Sequence, residues 1–306
     1  MSSAVEATQG KTTTAGNDVL PNATRKSSSG AWRRFRHHHL AMVGVVILTL
    51  LTVTAVAAPL IAQNDPYRTN ISQYRKGPSE GRILGSDGSG RDVLSRLLHA
   101  GRISLSVGLV AVSIYTLIGI ILGAFAGYYG GRVDSIIMRM ADVVLAFPSL
   151  IIIITIVSFL GPSVWNIMMV IGLLGWPPMA RILRGQFLSL REQEFVVASR
   201  AIGAPNRTII FRHMLPNALA PIIVAATFGI ASAILLEAGL SFLGLGVQPP
   251  TPTWGNMLSD AQSLPVLQSM PWLWLPPGVM IALAVLSINF IGDGLRDAFD
   301  PHLHHR

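Results

Sequence analysis

Long uncharged apolar runs alternate with short polar breaks along most of the chain. The first run, Leu40 to Ile61, is 22 residues long. At about 1.5 Å per residue it covers the roughly 30 Å hydrocarbon core of a bilayer. A second run extends from Ile103 to Tyr129 and is broken by Gly130, Gly131, Arg132 and Asp134. A third, from about Met140 to Leu160, closes on a tight turn at Gly161-Pro162. A fourth runs from Val164 to Ala180, a fifth from near Asn217 to about Leu245, and a sixth from about Trp274 to Gly292. The pattern predicts an all-α polytopic membrane protein with six transmembrane helices. Residues 1–36 read as a disordered tail, since their Ser, Thr, Ala, Gly and Asn show no apolar period. The first transmembrane helix is placed at 37–62 and a polar outer segment at 63–101. A five-helix core follows at 102–295, with a C-terminal tail at 296–306.

Composition agrees with this picture. Of 306 residues, 51% are hydrophobic and 12% charged, against roughly 25% charged in soluble domains. The formal charge of +8 admits a nucleic-acid partner until the charges are located. With six spans both termini share one side. Sixteen of the 23 Lys and Arg fall on that side, six of them between residues 181 and 213. The other seven all lie in the 62–102 segment, diluted by Asp65, Glu80, Asp87 and Asp92. The basic majority predicts cytoplasmic termini and no nucleic-acid partner. Trp272 and Trp274 then fall where an outer aromatic belt is expected. Cysteine is absent, which removes disulfide and thiol chemistry.

The polar stretch between spans four and five is the most informative. It runs from Arg191 through Glu194 and Phe195 to Ala198, Ser199, Ile202 and Gly203, then from Arg207 to Leu215 and Pro216. Phe195, Ala198 and Ile202 share one helix face. Gly203 fits the position just past a helix C-terminus, and Pro205 prevents continuation. A second short helix is expected from Arg207 to Met214, ended by Pro216. Two short helices at an angle make a knob suited to a groove on a cytoplasmic partner.

Glu194, Ala198 and Gly203, ending in Leu215-Pro216, resemble the EAA signature of ABC importer permeases. The first Ala of its triplet is replaced, and His213 stands where an apolar residue is general. Further blocks, from Leu84 through Asp87, Gly90, Arg91 and Asp92 to Arg96, Ala146-Phe147-Pro148, and Ser241 to Trp254-Gly255, resemble the second permease subunit of dipeptide and oligopeptide importers, the DppC/OppC type. The similarity spans about residues 32–300 with the blocks in order. It implies a type I ABC importer permease fold in a prokaryotic cytoplasmic (inner) membrane. It also implies a homologous second permease, two ABC ATPase subunits and an extracytoplasmic solute-binding protein. The segment 186–216 would then dock into the ATPase through Glu194, Ala198, Ser199, Gly203, Leu215 and Pro216. The cargo would be di- or oligopeptide, or alternatively nickel chelate, glutathione or oligosaccharide. ATP-Mg would belong to the partner ATPases and no cofactor to this chain. The only Gly-Lys-Thr triplet, at Gly10, has Val5 where a phosphate loop needs Gly.

Several other residues carry weaker expectations. Glu237 lies about 20 residues into span five and is either a pathway or partner contact or a helix-end acid. Asn289 in span six is a pathway candidate or a helix contact. Asp142 is expected to pair with Arg139. Asp87, Gly90, Arg91 and Asp92 make a Gly-rich turn, with Asp92 capping a helix. They are a candidate docking segment for the binding protein. An EF-hand at this turn fails because residue 98 is Leu rather than Glu. Gly119, Gly123 and Gly127 step by four and predict close helix packing. His37 to His39 and His302, His304 and His305 read as solvated rather than as a metal site. Neither HExxH nor GxSxG occurs, so a membrane enzyme is disfavoured. An ion-coupled secondary transporter would need midplane charges that the spans lack.

Overall fold

The computed structural model describes residues 28–299. Among the described residues the structure is helical apart from connecting turns and two isolated bridges in the segment before Val93. A short helix α1 (Ser28–His37) precedes α2 (His39–Val56) and the long α3 (Val93–Tyr129). Then come α4 (Gly131–Leu145), α5 (Ser149–Leu160), α6 (Val164–Leu174), α7 (Trp176–Leu190) and α8 (Glu194–Ala201). The last described elements are α9 (Leu215–Phe242), α10 (Trp254–Leu258), α11 (Leu264–Ser269) and α12 (Pro271–Phe299).

Five helices are long and apolar enough to cross a membrane: α2, α3, the joined α6–α7, α9 with its lead-in, and α12. The sixth expected span is broken. The helices α4 and α5 meet at an 80° bend. Pro148 cannot continue a helix from Phe147, since it lacks an N–H and disfavours helical backbone before it. Gly130, where α4 starts, lies near Arg191. At the other end, Pro162 lines a cavity with Ile103 and Gln248. The pair therefore runs from one end of the bundle to the other and counts as the sixth crossing.

The boundaries differ from the pattern-based ones in explicable ways. Residues 28–36, read as tail, are helical in α1, where Phe35 is buried against α12 beside Gly294. Residues 296–299 likewise continue α12. Asp92 caps α3 by accepting from the Ser95 N–H at 2.8 Å, so the helix begins ten residues before the apolar run at Ile103. Trp272 and Trp274 are half-buried and pack against the cluster that contains Trp254 and Met257 of α10. The remaining tail residues and His302, His304 and His305 lie outside the described residues.

Close packing of α3 on α7 organises the centre. A Cβ on Gly119, Gly123 or Gly127 would come within 2.6 Å of Met179, 2.6 Å of the Ala180 carbonyl and 2.5 Å of Phe187. Only a side chain of one hydrogen lets the two helices approach this far. Asp142 pairs with Arg181 on α7 at 2.5 Å rather than with Arg139. Arg139, three residues away on the same helix, loses to a residue across the interface. Asp134 receives two hydrogen bonds from Arg184, each 2.5 Å, fixing α4 to α7.

Candidate functional site

The stretch between α7 and α9 stands out as a compact projection. Glu194 sits in the first turn of α8, where an acid favours the helix dipole. Gly203 has φ of +77° and closes α8. The Ala204 N–H donates to the Ser199 carbonyl at 3.1 Å and the Gly203 N–H to Arg200 at 2.9 Å. These are the paired bonds of a Schellman cap, for which the left-handed residue favours glycine. Ser199 spends its hydroxyl on the Phe195 carbonyl.

The expected second short helix is absent as a separate piece. Residues 206–208 begin a helix, Ile209–Met214 widen into a π turn, and Leu215 carries on into α9. Asn206–Phe242 is one element of 37 residues. Pro216 does not end it, because it falls at the start of α9, where its missing N–H is tolerated, and the π turn before it takes up the altered register. Leu215 is half-buried and Pro216 exposed.

The orientation of α8 is unusual for an amphipathic helix. Val196 is fully buried, inserted among Phe187, Ile209, Ile210 and Met214. The face carrying Phe195, Ala198 and Ile202 points to solvent instead, with Ile202 84% and Phe195 41% exposed. Val197 and Phe211, each 52% exposed, extend the apolar surface. The apolar face is thus turned outward on an element anchored to the bundle. The anchoring is specific. Tyr128 at the end of α3 donates to Asn206 Oδ1 at 2.7 Å. Arg200 stacks over the Tyr128 ring at 5.2 Å.

At the opposite end, Asp87, Gly90, Arg91 and Asp92 form an internal framework. Asp87 accepts from the Ser89 and Arg91 N–H groups at 2.8 and 2.9 Å and pairs with Arg91 at 2.7 Å and Arg96 at 3.3 Å. A Cβ on Gly90 would collide with the Asn70 carbonyl. Asp87, Asp92 and Gly90 are buried. A cavity of about 230 Å³ lies beside them, lined also by Asp260 and Gln248. Burial pushes the Asp260 carboxyl up, with Asp87 adding to the effect and Arg75, Arg91 and Arg96 opposing it.

Glu237 is fully buried and lines none of the larger cavities. It accepts from Ser241 at 2.7 Å and from Ser104 at 3.3 Å. Ser104 in turn accepts from the Trp254 N–H at 3.1 Å. The carboxyl thus ties α3, α9 and the start of α10 together. Sequence reasoning had no signal for the partners of Glu237, since Ser104 and Trp254 are distant in the chain. Asn289 is half-buried on α12. The sequence also missed a long apolar groove between α5, α6 and α9, about 470 Å³, with Tyr115, Phe228 and Ser232 on its walls. A second cavity shares Ile182, Ala225 and Phe228 with it and extends to Arg296.

Residues 119–305 match the family of binding-protein-dependent transport system inner membrane components. Residues 28–78 match the N-terminal transmembrane domain of oligopeptide transport permease C. The chain belongs to this permease family, in its DppC/OppC group. It is 46% identical to the dipeptide transport system permease protein DppC of Alkalihalophilus pseudofirmus, covering 89% of each chain. It is 41% identical to the oligopeptide transport system permease protein OppC of Bacillus subtilis, covering 91% of this chain and 92% of that one. The Pseudomonas aeruginosa di/tripeptide transport system permease DppC is 41% identical over 89% of this chain and 91% of its own. Among solved structures, an inward-facing form of the MetNI methionine ABC transporter superposes with a TM-score of 0.54 at 18% identity. That match covers 67% of this chain and 97% of the other, and shows that the permease has the type I ABC importer fold.

Proposed function

We propose that the permease moves di- or oligopeptides across the inner membrane, driven by ATPase subunits that engage α8. One observation carries this reading: the apolar face of Phe195 and Ile202 is exposed on an element rigidly fixed to the bundle. Burying side chains of this size is worth roughly 1.5–3 kcal/mol each, so the face favours a protein partner. The partner would be a cytoplasmic ATPase, because six of the basic residues cluster between 181 and 213. Both termini would then be cytoplasmic.

In this reading Glu194, Ala198, Ser199 and Gly203 form the coupling surface, and Leu215 and Pro216 lead it into α9. Movement of α8 is passed on directly, since Asn206–Phe242 is continuous over about 55 Å. Tyr128 and Phe187 carry the same displacement into α3 and α7. A homologous second permease would complete the groove beside α9, with peptide delivered from an extracytoplasmic binding protein. Asp87, Gly90, Arg91 and Asp92 would support that protein's docking site by holding the outer segment in shape. Energy comes from the partner ATPases, and this chain acts as a transport subunit without its own catalysis. Peptide as cargo is supported by the names of the relatives, which are peptide permeases.

Gly203→Leu tests the coupling role. Its Cβ meets no other atom, but its φ of +77° opposes any side chain. The variant is expected to insert and assemble while ATP hydrolysis continues without peptide uptake in vesicles. Unchanged uptake would remove α8 from the coupling path.

A further inference from the structure

A second apolar groove lies on the bundle surface between α2, α3, α9 and α12, with a volume of about 490 Å³. Its walls run from Leu48 to Val56 on α2 and from Arg102 to Leu109 on α3. These stretches are about 12 and 10 Å long, close to the depth of one leaflet of a roughly 30 Å core. The hydroxyls on the walls are already spent on their own helices. Thr52 donates to Leu48, Ser106 to Ile103 and Thr227 to Ile223, at 2.8, 2.8 and 2.9 Å. No hydroxyl proton on these walls is left to donate to a peptide carbonyl, whereas a hydrocarbon chain needs no partner.

The end of the groove nearest the outer segment carries a cation. Arg102 is exposed and donates from Nε to the Ala55 carbonyl at 2.8 Å and from Nη2 to Val56 at 2.6 Å. These contacts hold the guanidinium over the groove mouth and leave Nη1 without a protein acceptor among the described residues. A fixed guanidinium at the edge of the hydrocarbon matches a phosphate in charge and geometry.

We propose that this groove binds one anionic phospholipid, its phosphate on Arg102 and one acyl chain between α2 and α3. The site lies away from α8 and requires only that the chain spans a bilayer, so it stands or falls separately from the coupling role. The test uses the assembled transporter in nanodiscs of equimolar phosphatidylglycerol and phosphatidylethanolamine, with retained lipid counted by native mass spectrometry. The parent complex should retain phosphatidylglycerol preferentially. Arg102→Gln should lower the ratio of the two retained lipids about five-fold, the worth of one cation at a membrane surface. Arg102→Lys should restore it. Thr52→Phe, which fills the groove from an exposed position, should lower retained lipid of both kinds. An unchanged ratio in Arg102→Gln, or unchanged retention in Thr52→Phe, would overturn the proposal. The same holds if Leu109→Cys, the sole thiol in a chain with no cysteine, cross-links to a neighbouring protein subunit, for then protein covers the groove.

Discussion

At the residue scale, the informative positions are those where one atom decides the outcome. Glu237 is an intramembrane acid held by the hydroxyls of Ser241, Ser104 and Thr253. Truncation to Ala leaves these hydroxyls in a buried site without their acceptor, at a cost of about 1–3 kcal/mol. Thermal unfolding of the purified transporter should show the loss for Glu237→Ala and a smaller one for Glu237→Gln, which keeps an acceptor oxygen. Equal midpoints for parent and Ala would contradict the role of Glu237 as a tie. Asp260 gives a pH-dependent counterpart outside the membrane. Burial raises its folded-state value above the ordinary one, so the fold holds this proton more tightly than the unfolded chain does. The associated stability is present below the ordinary value and is lost as pH rises through the raised one. Asp260→Asn should therefore flatten the dependence of the unfolding midpoint on pH over that window. Parallel slopes in the two proteins would refute it.

At the element scale, the glycine stripe of α3 and the cap of α8 were legible because each follows from local chemistry. Gly119, Gly123 and Gly127 do face a helix, and that helix is α7. Gly123→Leu should cost about 1–3 kcal/mol or more by overpacking against Ala180 and Leu183. Gly239→Ala, on the open side of α9, should be tolerated and slightly stabilising, by about 0.5–1 kcal/mol. Comparing yields of folded protein after detergent extraction separates the two outcomes. The bend at Pro148 and the π turn before Pro216 were not legible in the same way. A proline marks a break in local geometry, but neighbouring helices determine whether the chain stops, bends or carries on. The apolar periodicity of Phe195, Ala198 and Ile202 was visible, yet periodicity names a face without saying which way it points. Val196, off that face, is the residue that turned inward.

At the scale of the whole molecule, counting apolar runs gave the helical class and the number of crossings once α4 and α5 are taken as one. Long-range contacts stayed hidden: nothing along the chain links Arg102 to the end of α2, or Tyr128 to Asn206. These contacts explain why the permease can act as one body. The outer framework at Asp87, the tie at Glu237 and the packed α3–α7 pair join both ends of the bundle, while α8 presents an exposed apolar face at one end of it. The claim that α8 receives the ATPase is tested most directly by cross-linking. Ile202→Cys places a single thiol on that face in a chain with no cysteine of its own. In the assembled, transporting complex it should form an adduct with an ATPase subunit. A complex that transports peptide while Cys at this position reacts freely with a soluble thiol reagent and never with the ATPase would contradict the account.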